Sequence, residues 1–324
     1  MSHTLKPRFK IEVGSLTFES VISREFLGLY SHLDMDIPID VCKIVFTLDG
    51  IKELKVGDDV RVYLGYEDDL KVIFTGFLSS IKRGSSSARL ECFNSSIKLV
   101  KHRVSRVYES QTSGDIVRDL AGEADVQVGE ISSGIRLPYY VVDNRRTVYD
   151  HMSYLADRNG FELYVNEENK LFFKEYEEKE PHKVEYKVNL LDSDVSVLEK
   201  GEVRIVVCGE SPASFRGSDT FHWLTKREVK GSAGSGTTIV IFDPVVRDEE
   251  TADRVAKAKL ERMSVKAKGW VRIIGDSTIK LNDTVEIIGV GEEIDGKYQV
   301  RGVKHSFSRS RGFTSSLKLM RCVS

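Results

Sequence analysis

"VIFTGFLSSIKRG", residues 72–84, and "YQVRGVKHSFSRSRG", residues 298–312, decide how the 324-residue chain is read. Each puts a lone glycine, Gly76 or Gly302, inside an apolar run, and each closes on Arg-Gly. A glycine inside a strand weakens it unless a bulge or a close backbone approach requires it. The same requirement near both ends of one chain points to one strand written twice. The neighbourhoods agree. "LKVGDDVRVYLG" (54–65) aligns with "IKLNDTVEIIGV" (279–290), which sets Asp58 against Asp283 and Val60 against Val285. "SARLECF" then lies against "SSLKLMRC", and "VCKIVFTL" and "VRIVVCGE" are candidate upstream strands of the two copies. Any two β-meanders share alternating valines, but a common order of corner, strand, turn and glycine-centred strand argues for an internal repeat. The expected fold is α+β and mainly β: two similar antiparallel, tube-like β-barrels with an α/β lobe between them.

The rest of the chain fills in this frame. "RFKIEVGSLTFE" (8–19) reads as a hairpin turned at Gly14-Ser15, and residues 20–40 read as irregular. Near residue 110 the period changes from two to that of a helix. Thr112 and Asp115 have capping-box spacing before Ile116, Val117, Leu120, Ala121 and Ala124. Thr147 caps a second helix with Asp150 in its first turn; Val148, Met152, Leu155 and Ala156 form its inner face, and Asn159-Gly160 ends it. "FELYVNEENKLFFKEY" (161–176) is a hairpin, and "GSAGSGTT" (231–238) is a flexible loop. Asp248 caps a third helix with Ala252, Val255, Ala256, Leu260 and Met263 inward.

Composition and motifs narrow the chemistry. Net charge is −2, which disfavours tight nucleic-acid binding as the main role. The N-terminus has no signal-like apolar stretch, and no run is long enough for a membrane helix. Cys42, Cys92, Cys208 and Cys322 form no CxxC pair and read as thiols of a reducing compartment. "GSAGSGTT" lacks the lysine of a phosphate loop. The histidines, His3, His32, His102, His151, His182, His222 and His305, form no HxxxH or HExxH pair; His151 and His305 read as structural. Acidic pairs read as solvated turns and helix starts, and no GxSxG elbow occurs. The basic stretches at 96–106 and 308–318 read as exposed strand ends and a solvated helix face rather than as a DNA grip. No catalytic residue, cofactor or metal is expected.

"SRVYESQTSGDIVRDLAGEA", "PYYVVDNRRTVYDHMSYLADRNGFELYV" and the terminal "LNDTVEIIGVGEEIDGKYQVRGVKHSFSR" with "SSLKLMR" give the chain a resemblance to the phage late-control D, or baseplate hub, family. Related hubs occur in contractile injection systems and in type VI secretion hub–spike proteins. The resemblance spans nearly the whole chain and is strongest at 105–175 and 266–321. It implies a structural, non-enzymatic hub: a homotrimer whose duplicated barrels make a pseudo-sixfold ring, joining a hexameric tail tube to a trimeric spike. The ring would be built from 41–94 and from 202–209 with 268–321. The implied domains are a first barrel at 1–105, the α/β lobe at 106–182, and a second barrel at 183–324 carrying an inserted loop and helix at about 231–265. Implied partners are the tail tube protein, a separate spike protein, since no spike follows Ser324, and tape-measure and other baseplate proteins. DNA or another payload would pass the lumen without specific binding. The implied location is a virion tail, baseplate or injection particle, after synthesis in the host cytoplasm. Two alternatives stay open: a tail-associated cell-wall hydrolase, and a nucleic-acid- or glycan-binding double β-barrel.

Overall fold

The computed structural model describes residues 6–20, 23–199, 201–210 and 229–322. His3 and His222 lie outside them. The chain opens with β1 (Pro7–Val13), β2 (Leu16–Glu19), β3 (Phe26–Asp34), β4 (Val41–Thr47), β5 (Asp59–Tyr66), β6 (Asp69–Arg83) and β7 (Ser87–Phe93). A lobe follows: α1 (Ser96–Lys101), β8 (Arg106–Thr112), α2 (Ser113–Glu123), β9 (Val128–Ile131), β10 (Arg136–Val142), α3 (Val148–Asn159), β11 (Glu162–Val165) and β12 (Leu171–Lys174). Then come β13 (His182–Glu185), β14 (Leu190–Val197), β15 (Val203–Cys208), β16 (Lys230–Gly234), β17 (Thr237–Phe242) and α4 (Glu249–Met263). The chain closes with β18 (Val265–Ile274), β19 (Thr284–Ile288), β20 (Gly296–Ser308) and β21 (Gly312–Cys322).

Thirteen strands form one sheet, ordered β14-β18-β21-β20-β3-β4-β7-β6-β5-β1-β2, with β19 beside β20 and β13 beside β19. Among the described residues the ladder is an open path. Two similar tube-like β-barrels were the expected architecture; among the described residues no closed barrel forms. The reason lies in β20. Its first half pairs with β19 and its second half, on the same edge, with β3 from the other end of the chain. The two β regions are fused there into a single sheet over one apolar core, in which Phe9, Ile44, Phe74, Leu90, Tyr298 and Leu319 are at most 2% exposed.

A second core belongs to the lobe, and it extends further along the chain than 106–182. Leu120, Met152 and Phe173 pack there with Ile205 and Val207 of β15 and with Ala252, Val255 and Ala256 of α4. β15 pairs with β16 and β17 in a small sheet under α4, so 202–209 is not a ring strand. β18 is the strand beside β21, as β4 is the strand beside β7. A buried ion pair ties this insertion down: Arg158 Nε of α3 lies 2.5 Å from Asp243, which also accepts from the Tyr154 hydroxyl at 3.1 Å.

The local signals act as their chemistry requires. Thr112 accepts from the Asp115 backbone N–H while the Asp115 carboxylate accepts from that of Thr112; Thr147 and Asp150 do the same. Each box is worth about 1 kcal/mol. Gly160, at φ 71°, ends α3 in the left-handed region. Three expectations differ. Residues 26–34 form β3, 231–238 lies largely within β16 and β17, and Met263 is 52% exposed.

Candidate assembly interface

The corner before β5 recurs before β19, bond for bond. Asp58 accepts from the backbone N–H of Lys55 at 2.8 Å, and Asp283 from that of Lys280 at 2.8 Å. The Asp58 carbonyl accepts from Leu78 N–H, and the Asp283 carbonyl from Val300 N–H, both at 2.8 Å. The Leu78 and Val300 carbonyls accept in turn from Gly57 and Asn282. Val60 and Val285 follow as fully buried residues. Asp58 and Asp283 thus share a set of local bonds, and Val60 and Val285 share full burial.

The glycines do not stand in matching places. Val60 opposes Gly76, whereas Val285 opposes Tyr298. The β6–β7 ladder carries a bulge at Ser79, between Leu78 and Ser80; the β20–β21 ladder carries one at Arg301, between Val300 and Gly302. Corner, ladder and bulge agree in placing Leu78 with Val300, so Gly302 matches Ser80 and Gly76 matches Tyr298. The two glycines sit on corresponding strands, four residues out of step.

Their tasks differ accordingly. A Cβ on Gly76 would stand 2.2 Å from the Phe93 carbonyl oxygen, which is backbone and cannot swing aside. A Cβ on Gly302 would meet side-chain atoms of Lys318 and Asp34 at 3.1 and 3.2 Å. Gly76→Ala is therefore expected to lose about 1–3 kcal/mol, as overpacked sites do, and Gly302→Ala clearly less. Urea unfolding of the two variants measures this; equal losses would contradict the register.

The match continues outward. Leu78 and Val300 oppose Cys92 and Leu319. Cys92 and Leu319 oppose Cys42 and Gly269. Cys42 and Gly269 oppose Ser31 and Val195. If β3 corresponds to β14 in this register, Leu27 must match Leu191. Both are bulged residues, between Phe26 and Gly28 and between Leu190 and Asp192. Both are also exposed leucines, at 44% and 51%.

One difference separates the sets. The second half of β20 is covered by β3, with Val303 opposite Leu33 and both buried. Among the described residues the corresponding edge of β6, beyond Leu78, has no strand beside it, and the outer edge of β14 is the end of the sheet. Open edges are pairing sites.

Where lobe and sheet meet, sequence reading missed a polar cluster. Arg301, 8% exposed, donates from Nη1 to Glu162 at 2.8 Å and from Nη2 to Asp36 at 2.6 Å. Gln299 donates to Glu162 at 3.1 Å and to Asn282 at 2.7 Å. Lys318 reaches Asp36 at 2.8 Å and Asp34 at 3.1 Å. Burial alone would raise the two aspartates; donors from His32 and Lys318 on Asp34, and from Arg301 and Lys318 on Asp36, outweigh it and hold both low. A charged residue in the apolar run "YQVRGV" was the available signal.

Hydrolytic chemistry finds little support. A cleft of about 490 Å³ beneath Gly76 is lined by Glu12, Asp59, Lys98, Asp125 and Glu168. A glycosidase acid needs a raised carboxyl. Here Glu12, Asp125 and Glu168 are lowered by bonds from Lys10, Lys98 and Lys170 respectively. Among the described residues no cluster of His, Cys, Asp or Glu could hold a metal, and Cys42, Cys92 and Cys208 are free. Burial pushes the Cys92 thiol up to about 12. His151 is buried between the Tyr140 hydroxyl at 3.2 Å and the Asp143 carbonyl at 3.1 Å. The basic stretch at 96–106 is engaged within the lobe, Lys98 with Asp125 and Arg106 with Asp119. No described helix is long and apolar enough to cross a membrane.

The fold is shared with solved structures. A 43 kDa tail protein of prophage MuSo2 from Shewanella oneidensis is 12% identical over 98% of both chains, with a TM-score of 0.73. A tail protein from Neisseria meningitidis is 14% identical over 98% of this chain and 97% of that one, at 0.75. An E. coli component of the type VI secretion system, described as similar to T4 bacteriophage tail proteins gp27 and gp5, is 12% identical over 97% and 77%, at 0.63. No curated protein sequence matches. Residues 39–204, just over half of the 324, match the family model described as the Alg8 N-terminal domain, which is a different family from the one the sequence resembles. The chain belongs to the Alg8 N-terminal domain family, on a fold that phage and prophage tail proteins also adopt.

Proposed function

We propose that the chain is a structural, non-enzymatic hub of a phage tail or a phage-tail-like contractile injection machine. It works as a homotrimer that adapts a sixfold tail tube to a threefold spike, in the manner of late-control D hubs. One observation carries the reading: the strand set β3-β4-β7-β6 with β5 recurs as β14-β18-β21-β20 with β19, down to the corner bonds and both bulges. An internal duplication accounts for that detail, since independent meanders have no reason to bulge at corresponding residues. Two like units in each of three chains present six to a tube and three to a spike, which is how cyclic symmetry reconciles the two. The fold shared with tail proteins and with a type VI secretion component supports the same role. On this reading the tube, a spike and baseplate or tape-measure proteins are its neighbours. The payload crosses the lumen without a specific site, and the protein resides in the virion tail or injection particle.

Mass photometry and negative-stain imaging test this. The expected result is a particle of three chains with a sixfold-like outline. A chain that stays monomeric with tube and spike proteins present overturns the reading. Release of soluble fragments from peptidoglycan, or salt-dependent DNA affinity of the free chain, would favour the alternatives.

A further inference from the structure

Resting on that reading, we infer the seam between copies and its register: the β6 edge of one chain, Ser80–Gly84, pairs antiparallel with the β14 edge of the next, Leu198–Asp194, with Ile81 opposite the partner's Val197. The chain already contains one such seam. β20 runs against β3 with Gly302 opposite Asp34, Val303 opposite Leu33 and Lys304 opposite His32. The corner and bulges match Gly302 to Ser80 and Val303 to Ile81. The ladders and the leucine bulges match Leu33 to Val197 and Asp34 to Leu198. Substituting one set for the other gives the seam without any free choice of register.

Three features of the two edges fit it. Leu33 is buried under β20, whereas its counterpart Val197 is 43% exposed, and Ile81, the counterpart of buried Val303, is only partly covered. An apolar pair buried within the chain is thus left open at both outer edges. β14 as a whole is exposed along one strand although β3 is largely buried. Among the described residues β14 has a ladder on one edge alone, with β18. The charges also oppose. Lys82 and Arg83 end the β6 edge, and Asp192 and Asp194 stand on β14. Lys82 would lie opposite the partner's Ser196 and diagonal to the partner's Asp194, within reach of a cross-strand pair. Among the described residues neither Lys82 nor Asp194 makes an ion pair within its own chain. The contact is heterologous, β6 to β14, so it closes only as a ring or runs on as a filament.

Disulfide trapping tests the register. Residues directly opposite bring their Cβ atoms close enough to bridge, whereas residues displaced along the ladder do not. Ile81→Cys with Val197→Cys in one chain is expected to oxidise to covalent dimers and closed trimers on a non-reducing gel. Either cysteine alone, and Ile81→Cys with Ser193→Cys, should give none above the level of the native thiols. Lys82→Glu should weaken the trimer, and Asp194→Lys added to the same chain should restore it. A threefold ring without the 81–197 bridge, or with the bridge only at the displaced pair, overturns the seam and leaves the hub reading standing. Absence of any trimer, cross-linked or free, overturns both.

Discussion

Replacing Arg301 by methionine is expected to destabilise the chain by about 3–5 kcal/mol, the range for removing one partner of a buried ion pair. The magnitude follows from what is left behind. Among the described residues Glu162, 8% exposed, would keep only the Gln299 amide as a donor, and Asp36 would keep Lys318. Glu162 belongs to the lobe, Asp36 to the β3–β4 connection and Arg301 to β20, so a single side chain joins three parts of the fold. The β20 bulge holds Arg301 where the β6 bulge holds Ser79. Arg301→Lys is expected to lose less, since an ammonium retains the charge but lacks the fork that spans both carboxylates. Adding Glu162→Gln to Arg301→Met should recover part of the loss, because the stranded charge disappears. Equilibrium unfolding of the four proteins measures these differences. A loss below about 1 kcal/mol for Arg301→Met would place the pair among surface bridges and dismiss the junction.

What could be read from residues alone follows a physical boundary. Helix ends were legible because capping is local: Thr112, Thr147 and Asp248 each bond within three residues of themselves. The two like corners were legible through "LKVGDD" and "IKLNDT", whose Lys-to-Asp bonds are also local. Register was not legible. Two glycines in similar runs suggested a match, yet one yields to backbone and the other to side chains. β15 alternates as a ring strand would, with Ile205 and Val207 inward, and alternation reports a buried face without naming the sheet. β3 was missed because its bulge at Leu27 breaks the alternation, with Gly28 beside it. The open edges of β6 and β14 were invisible for the same reason: an edge is defined by what lies beside it, not by its own sequence.

The pH dependence of stability should expose two opposed buried groups. Asp40, 4% exposed, accepts from the backbone N–H of Asp34 at 2.8 Å and from Asn94 at 2.7 Å, and burial pushes its carboxyl up to about 7. The folded chain therefore holds this proton more tightly than the unfolded one. Stability contributed by Asp40 is full below about pH 4 and is lost as pH rises to about 7. His305, 3% exposed, has Nδ1 2.9 Å from the Ser315 hydroxyl; burial, with Lys280 nearby, pushes its imidazole down to about 3. The folded chain resists protonating it, so its contribution is full above about pH 6.5 and is lost as pH falls towards 3. Between about pH 5 and 6.5 the two slopes cancel, and the native chain should be nearly flat. Asp34 and Asp36, held low, titrate below this range. His182, raised by its bond to Asp283, loses its contribution above it. Asp40→Asn should leave stability rising by about 2 kcal/mol from pH 5 to 6.5, and His305→Gln should leave it falling by about as much. Urea unfolding at the two pH values reads each slope directly, and slopes of the same sign in both variants would refute the pairing of these groups.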